Sequence, residues 1–158
     1  MLNIMQKLWH NTYFRILAVL FLTIGLLCGC GGADATAIVD AEQTTLAEDG
    51  SYTSPEDVAE YLHFYGHLPE NFITKSEARD LGWDSQKGNL DKVAPGMSIG
   101  GDTFGNREGS LPKADGRKYY ECDVNYEGGY RGEERLVYSN DGLIFYTDDH
   151  YKSFEQLY

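Results

Sequence analysis

The stretch Lys118-Tyr-Tyr-Glu-Cys-Asp-Val124 decides the fold class, because its side chains alternate with the period of two that is typical of a β-strand. In such a strand Tyr119, Glu121 and Asp123 lie on one face. The opposite face then carries Tyr120, Cys122 and Val124. A strand of this kind needs neighbouring strands, because its backbone N–H and C=O groups require partners.

The sequence downstream of that stretch supplies the neighbours. Residues 133–138 alternate in the same way and place Glu133, Arg135 and Val137 opposite Glu134, Leu136 and Tyr138. The tripeptide Asn140-Asp141-Gly142 is typical of a hairpin turn and precedes a further strand over residues 143–147. The second half of the chain therefore predicts an antiparallel sheet.

Helix signals fill the first half. Ser54-Pro55-Glu56-Asp57 supplies an N-cap, a proline at the first helical position and early acidic residues, and Gly66 is placed to end that helix in a left-handed conformation. The apolar stripe at helical spacing is Val58, Tyr61, Leu62 and Tyr65. Thr74-Lys-Ser-Glu77 is a capping box for a short helix that Gly82 would stop, and Asn89 could cap a third. Helices followed by an antiparallel sheet predict an α+β domain, with the helices packed on the sheet.

The N-terminal stretch is typical of an export signal. Lys7 and Arg15 precede an apolar run over residues 16–27, which is short for a membrane span and ends in Leu27-Cys28-Gly29-Cys30. A Leu three positions before a Cys, with small residues nearby, resembles the lipobox of bacterial lipoproteins. We therefore expect residues 1–29 to be a lipoprotein signal peptide and Cys30 to be the lipidation site. An ordinary secretory signal is the alternative, and either one exports the protein.

Residues 30–50 are expected to form a flexible acidic tether after the lipidated cysteine. This stretch contains no aromatic residue after Cys30 and is rich in Ala, Thr, Gly and acids, so it offers little apolar area to offset chain entropy. Residues 51–158 then form one domain, expected to be monomeric. Its remaining cysteine, Cys122, is expected to be a small buried apolar side chain rather than a catalytic thiol.

Charge argues against a polyanion ligand at long range. Residues 51–158 hold 11 Lys and Arg against 20 Asp and Glu, a formal charge of −9. Physiological salt screens such a field beyond about 8 Å, so a local cluster of cations can still act at contact. The composition therefore favours slow capture of a polyanion without excluding a working site for one.

From Tyr52 onward, over roughly two thirds of the chain, the sequence resembles the barnase-type secreted bacterial ribonucleases, a family of guanyl-specific microbial enzymes. In the first half the resemblance is carried by Leu68-Pro-Glu-Asn-Phe-Ile-Thr-Lys-Ser-Glu-Ala78, Lys87-Gly-Asn-Leu90, Val93-Ala-Pro-Gly96, Ser98-Ile-Gly-Gly-Asp102 and Asn106-Arg-Glu-Gly109. In the second half it is carried by Glu121-Cys-Asp123, Tyr130-Arg131, Arg135 and Asp148-Asp-His-Tyr151. It implies the same α+β fold and cleavage of single-stranded RNA through a 2′,3′-cyclic phosphate.

The resemblance also implies a role for each matching charged residue. Glu121 matches the family's general base and His150 its general acid, as internal transesterification requires. Lys75, Arg131 and Arg135 match cations that stabilise the charge gathering on the phosphate. Without the resemblance, a Glu and an Arg on neighbouring strands would be read as a solvated cross-strand pair.

Substrate-binding residues follow from the same resemblance. Phe104-Gly-Asn-Arg-Glu108 resembles the family's guanine loop, in which the Glu108 carboxylate would accept from the base and the amides of Asn106 and Arg107 would donate to it. Gly105 departs from the family's serine, so we expect a looser loop. The remaining substrate-binding residues implied by the resemblance are Asp102, Asp123, which would orient the arginines, and Tyr151.

No cofactor is expected, because the RNA carries its own nucleophile. Asp148, Asp149 and His150 could suggest a metal cluster, but no partner carboxylate or histidine pair with ligand spacing supports one. The expected partners are single-stranded RNA, a barstar-like inhibitor protein, and a membrane through the N-terminal lipid alone. Two other functions stay open: a surface lipoprotein that keeps the fold as a binding module, and a toxin domain used in competition between bacteria.

Overall fold

A computed structural model describes residues 44–158. Three helices lie in the first half of this range: α1 (Pro55–Tyr65), α2 (Lys75–Asp80) and α3 (Leu90–Val93). Six strands make one sheet: β1 (Phe72–Ile73), β2 (Ser98–Phe104), β3 (Tyr119–Asp123), β4 (Arg135–Ser139), β5 (Ile144–Thr147) and β6 (Glu155–Gln156). No helix in this range is both long and apolar enough to span a membrane.

The sheet runs β1-β2-β3-β4-β5-β6, so each strand lies beside its neighbour in sequence. The α+β prediction is confirmed, and four of the five strand pairs are antiparallel. The sheet also has a parallel edge that the sequence did not predict, where β1 of the first half pairs with β2. Periodicity could not predict this pair, because β1 has only two residues and cannot show an alternation. The same holds for β6 at the other edge of the sheet.

Strand β2 escaped prediction because two glycines interrupt its pattern. A Cβ at Gly100 would lie 2.7 Å from Phe72 Cδ1 and 2.8 Å from Cys122 Cβ, so the close approach of β1 and β3 requires glycine there. Gly101 has φ 92° and lies in a bulge, where the β2–β3 register shifts between Gly100 and Asp102. The bulge redirects the strand just before Asp102.

The predicted caps of α1 are present. The Asp57 N–H donates to Ser54 Oγ at 3.1 Å, and the N–H of Gly66, at φ 73°, donates to the Leu62 carbonyl. The capping box of α2 is also confirmed, with Thr74 and Glu77 bonded in both directions. Asn89 precedes α3 without capping it, because its side chain instead bonds Asp84 N and Gly82 O.

The alternation of β3 separates two apolar clusters. Helix α1 packs on the face that holds Cys122 and Val124, where the cluster comprises Val58, Ala59, Leu62, Cys122, Val124, Leu136 and Ile144. The opposite face carries Leu111, Tyr119, Val137 and Phe145, and it is the face that Glu121 and Asp123 share. A third cluster joins α2 and α3 to β2 through Ala78, Trp83, Leu90, Ala94 and Ile99.

The predicted tether differs from the structure over residues 44–50. Tyr61 and Tyr65 of α1 donate through their hydroxyls to the Glu48 and Leu46 carbonyls, both at 2.7 Å. Thr44 Oγ1 donates to Glu60 Oε1 at 2.5 Å. These bonds hold the segment against α1, so ordered structure begins before residue 51. The predicted signal peptide and Cys30 lie outside the described residues.

Candidate active site

Strands β3 and β4, helix α2 and the loops after β3 and β5 bring the predicted catalytic residues to one face of the sheet. Strand β3 contributes Glu121 and Asp123, and the β3–β4 register sets Asp123 directly opposite Arg135. Lys75 opens α2, and its side chain crosses to β3. His150 lies in the loop after β5, which is itself paired with β4. The residues on and after β3, β4 and β5 therefore lie close together because these strands are neighbours in the sheet, and Lys75 joins them through its long side chain.

Glu121 is 8% exposed and accepts two side-chain hydrogen bonds. Lys75 Nζ donates to its Oε1 at 2.5 Å, and Tyr151 Oη donates to its Oε2 at 2.6 Å. Burial acts to raise the pKa of Glu121, but the hydrogen bonds from Lys75 and Tyr151 outweigh it and the net pKa is lowered. Burial, together with the hydrogen bond to Glu121, raises the pKa of the Tyr151 phenol. Glu121 is thus held ionised.

Asp123 is the centre of the arginine cluster. Its side chain is 2% exposed and accepts hydrogen bonds from both Nε and Nη2 of Arg131, each at 2.6 Å. This two-point contact fixes the plane of the guanidinium group. Arg135 Nε lies 2.8 Å from Asp123 Oδ1 but is not aligned for a hydrogen bond, so that buried N–H has no acceptor among the described residues. Arg135 is otherwise held by its Nη1, which donates to the Glu134 carbonyl. Asp123 therefore contacts both arginines, Arg131 through two hydrogen bonds and Arg135 as an ion pair.

His150 borders a cavity of about 360 Å³, here called the site cavity. Its side chain is exposed, and its ring lies 4.8 Å from the ring of Tyr151, centroid to centroid. The site cavity is lined, among others, by Trp83, Tyr130, Arg131, Arg135 and His150. The proposed acid and two of the proposed phosphate-binding cations therefore face the same space.

The loop that carries His150 has an unusual backbone. His150 and Tyr151 have φ values of 56° and 71°, a left-handed conformation that non-glycine residues rarely adopt. Asp149 holds it in place, because its carboxylate accepts from Thr147 Oγ1, Lys152 N, Ser153 N and Ser153 Oγ. These bonds lower the pKa of Asp149 to about 2. Tyr151 N–H also donates to Thr147 Oγ1, so strand β5 anchors the loop.

Asp102 supports the site from strand β2. Its Oδ2 accepts the backbone N–H of Lys75 at 2.9 Å, at the first residue of α2. Asp102 also pairs with Glu121 in the β2–β3 register. The sequence prediction placed Asp102 with the substrate-binding residues, and the structure shows it bonded to the protein, where it sets the starting point of Lys75.

The 104–108 loop lies beside Tyr151. The Phe104 ring is 5.3 Å from the Tyr151 ring. Asn106 closes the loop, since its Nδ2 donates to the Leu111 carbonyl and its Oδ1 accepts the Leu111 N–H. Arg107 and Glu108 are exposed at the tip. The loop thus has a fixed base and an accessible rim.

Gly105 is the position at which the sequence predicts a looser loop. A Cβ there would lie 3.5 Å from Arg107 Cγ, an ordinary van der Waals contact, and no left-handed φ demands glycine. The structure has room for a side chain at this position. Glycine therefore contributes backbone freedom here without being required by the loop's shape.

Two aromatic residues of the site were not singled out by sequence reasoning. Trp83 and Tyr130 line the site cavity, and Tyr130 is 70% exposed, with its hydroxyl bonded to the Gln86 carbonyl. Tyr130 could have been predicted at the site because it precedes Arg131 in the sequence. Trp83 could not, because it comes from a loop with no recognisable pattern.

Cys122, His63 and His67 lie outside the candidate site. Within residues 44–158, no group of three or more His, Cys, Asp or Glu side chains is arranged to hold a metal ion. Cys122 is 1% exposed, and burial raises the pKa of its thiol, as expected of a packed apolar side chain. His67 is exposed, and His63 stacks on Tyr158 at 4.2 Å between ring centroids.

An ionised buried carboxylate, a histidine and three cations on one face of a sheet form a site suited to reactions of phosphate esters. Comparison with known proteins agrees with this class. A family model described as ribonuclease matches residues 55–158. The chain belongs to this ribonuclease family.

Relatives with curated names support the same assignment. A ribonuclease of Bacillus intermedius is 51% identical over 123 residues, covering 78% of this chain and 74% of the relative. A ribonuclease of Heyndrickxia coagulans is 57% identical over 102 residues, covering 65% of this chain and 94% of the relative. Guanyl-specific ribonuclease St of Saccharopolyspora erythraea is 46% identical over 55 residues, covering 34% of this chain and 54% of that protein.

Proposed function

We propose that this ribonuclease cleaves single-stranded RNA, preferentially after guanosine, by transesterification to a 2′,3′-cyclic phosphate that is then hydrolysed. One observation carries the proposal. Glu121 is kept ionised by Lys75 and Tyr151, on the same face of the sheet as the cavity that His150 shares with Arg131 and Arg135. A base, an acid and phosphate-binding cations are what this reaction requires.

In the first step Glu121 takes the proton of the ribose 2′-hydroxyl while the 2′-oxygen bonds to phosphorus. The bond from phosphorus to the 5′-oxygen breaks, and protonated His150 donates a proton to that oxygen. In the second step the roles exchange: His150 removes a proton from water as the water oxygen bonds to phosphorus. The bond from phosphorus to the 2′-oxygen breaks, and Glu121 returns its proton to that oxygen. The atoms balance without a cofactor, because the substrate supplies the first nucleophile.

During the first step negative charge moves from Glu121 to the phosphate, and the cations of the site can stabilise it in both places. As Glu121 becomes protonated, Lys75 loses its ionic partner at the moment when the phosphate gains negative charge. Arg131 is held in its plane by Asp123, so it need not reorganise to meet the phosphate oxygens. Arg135 is likewise fixed, because its Nε forms a buried ion pair with Asp123, and it lines the same cavity as Arg131 and His150. These interactions are stronger in the transition state than in the ground state, as catalysis requires.

Guanine preference is proposed from the 104–108 loop. The exposed Glu108 carboxylate can accept the two protons on the N1 and N2 edge of guanine, whereas adenine presents no matching pair of donors. The bonds between Asn106 and Leu111 hold the loop closed around the backbone amides that would meet O6. The name of one relative, guanyl-specific ribonuclease St, supports this preference.

Cleavage of GpU and ApU by the wild type, Glu121→Ala and His150→Ala tests the proposal. We expect GpU to be cleaved faster than ApU, with loss of about 10²- to 10⁴-fold in each variant, the usual contribution of acid–base groups. His67→Ala is the matched control, because this exposed histidine lies away from the site. A chelator should leave the wild-type rate unchanged. Folded wild-type protein without turnover would instead favour a binding module.

We further propose that the protein acts outside the cell as a monomer anchored through lipid on Cys30, and that a barstar-like protein inhibits it. The support is the sequence pattern before Cys30 and the family membership. Expression in a bacterial host should place the protein in the membrane fraction, and Cys30→Ala should release it. Cytoplasmic retention of the unmodified chain would contradict export.

A further inference from the structure

A second cavity, here called the basic cavity, adjoins the 104–108 loop. It has a volume of about 560 Å³, within the range of ligand-binding sites. One wall is formed by residues 103–107 and the other by residues of the 113–119 segment. Its polar and charged lining includes Asn106, Arg107, Lys113, Arg117 and Lys118.

The charge of this lining is the opposite of the charge of the domain. Residues 51–158 hold 11 Lys and Arg, and four of these line the basic cavity while no carboxylate does. Arg117 is fixed by Asp141, with Nε and Nη2 both bonded to the carboxylate. In the described part of the chain, Arg107, Lys113 and Lys118 form no ion pair. Their charge is available to a ligand.

The position of the basic cavity relates it to the proposed reaction. In the β2–β3 register, Asp102 lies opposite Glu121 and Phe104 lies opposite Tyr119, so the strands lead from the catalytic end to the 104–108 loop. Lys118 follows in the same direction, about 10 Å from Glu121 along the strand at about 3.3 Å per residue. A strand bound with its guanine in the loop and its 3′-phosphate at Glu121 would leave its 5′ side toward the basic cavity.

We propose that the basic cavity binds the phosphodiester backbone of the RNA on the 5′ side of the guanosine, with Lys113 and Lys118 as the main contacts. This inference rests on the proposed guanine-preferring cleavage and extends it from one nucleotide to a strand. Lysines suit this task because each offers three donors on a flexible stem and reads charge rather than base identity. The site also explains how an acidic domain holds a polyanion, since attraction at contact outlasts a screened repulsion.

The test compares three substrates: GpU, a form with three uridines added on the 5′ side, and a form with three uridines added on the 3′ side. The variant Lys113→Gln/Lys118→Gln keeps most of each stem and removes two charges. The control Lys87→Gln/Lys92→Gln removes the same charge from residues outside the basic cavity. Thermal unfolding of each protein checks that the fold is retained.

We expect kcat/KM of the double variant on the 5′-extended substrate to fall about five- to twenty-fold at low salt, the effect of two exposed charge contacts. GpU and the 3′-extended substrate should change less than twofold, and the control should match the wild type. The slope of log(kcat/KM) against log salt on the 5′-extended substrate should become shallower by about 0.7 for each phosphate that the variant no longer neutralises. An equal reduction on all three substrates, or no reduction on any, would overturn the inference.

Failure of the proposed function is distinguishable from failure of this inference. A wild type that cleaves none of the substrates contradicts the ribonuclease mechanism, and binding then decides the role of the basic cavity. Fluorescence anisotropy with an oligodeoxynucleotide carrying the 5′ extension needs no cleavage. Weaker binding by the Lys113 and Lys118 variant than by the control supports the basic cavity as a backbone site, and equal binding rejects it.

Discussion

The two halves of the proposed acid–base pair are held in different ways. Glu121 lies on a central strand, is 8% exposed, and is bonded on both carboxylate oxygens. His150 is exposed in a loop with two consecutive left-handed residues, and bonds from Asp149 and from Thr147 at the end of β5 maintain the shape of that loop. The proposed base is buried in the sheet, whereas the proposed acid is presented from a strained surface loop.

This difference separates the residues that stabilise the fold from those that must reach the substrate. A buried carboxylate with fixed donors keeps a low pKa but cannot move, so the substrate must come to it. An exposed histidine can reach a leaving group, but its backbone conformation costs about 1–3 kcal/mol, which the neighbouring bonds must offset. Changes to the sheet should therefore affect stability first, and changes to the loop should affect catalysis first.

The largest effect is expected at Asp123. Asp123→Ala leaves Arg135, which is 3% exposed, without its buried counter-charge, and breaking a buried pair costs about 3–5 kcal/mol. Urea unfolding should show this loss. The control Asp148→Ala removes an exposed carboxylate near His150 and should stay within about 0.5 kcal/mol of the wild type. Equal midpoints for the two variants would refute a structural role for the buried pair.

The next effect concerns the hydrogen bond from Tyr151 to Glu121. Tyr151→Phe keeps the ring and removes the donor, so the pKa of Glu121 should rise and the acidic limb of the kcat/KM profile should move to higher pH. Stability should follow the same linkage. A lowered folded pKa stabilises the fold above the unfolded value of about 4.3, and this contribution is lost as pH falls through the folded pKa.

Tyr151→Phe should therefore be about 1–3 kcal/mol less stable than the wild type near pH 7, the usual contribution of a hydrogen bond to a charged group. The difference should shrink at pH values below the folded pKa of Glu121. Unfolding by urea across this pH range measures it. A stability difference independent of pH would mean that the phenol acts by packing alone. Tyr126→Phe, whose hydroxyl bonds the Gly129 carbonyl, is a control without a carboxylate partner.

A smaller effect is expected from the loop. Asp149→Ala removes the acceptor of four bonds that hold the backbone around His150, so kcat on GpU should fall roughly tenfold through misplacement of the acid. The acidic limb set by Glu121 should not move, which separates this variant from Tyr151→Phe. Asp149→Asn retains an acceptor oxygen and should recover part of the rate. A shifted acidic limb would show that the two halves are coupled.

The smallest effect is expected at Gly105. Gly105→Ala and Gly105→Ser both fit the available space and reduce the freedom of the unfolded and unbound loop, a contribution of about 0.4–1 kcal/mol. The ratio of GpU to ApU cleavage should therefore rise about two- to fivefold. Equal gains for alanine and serine would assign the effect to backbone freedom, and a gain for serine alone would assign it to the hydroxyl. A lower ratio in both would contradict the loop's predicted looseness.

Local sequence signals were enough for several elements of the fold. Ser54, the Thr74 capping box and Gly66 marked helix ends correctly, because caps depend on side chains within three residues of the backbone groups that they bond. The alternation of β3 and β4 was equally local. Strand β2 and the parallel β1 edge were missed, because the requirement for Gly100 arises from Phe72 and Cys122 on other strands.

The sequence by itself determined the α+β class, the residue types of the site and, through resemblance, their proposed roles. Only the tertiary structure decided that Lys75 and Tyr151 both bond Glu121, across 46 and 30 residues of chain. It also decided that Asp102 anchors Lys75, that residues 44–50 pack on α1, and that four cations share the basic cavity. The physical reason is that pKa values, cavities and charge clusters depend on distances in space, whereas periodicity and caps report only on neighbours along the chain.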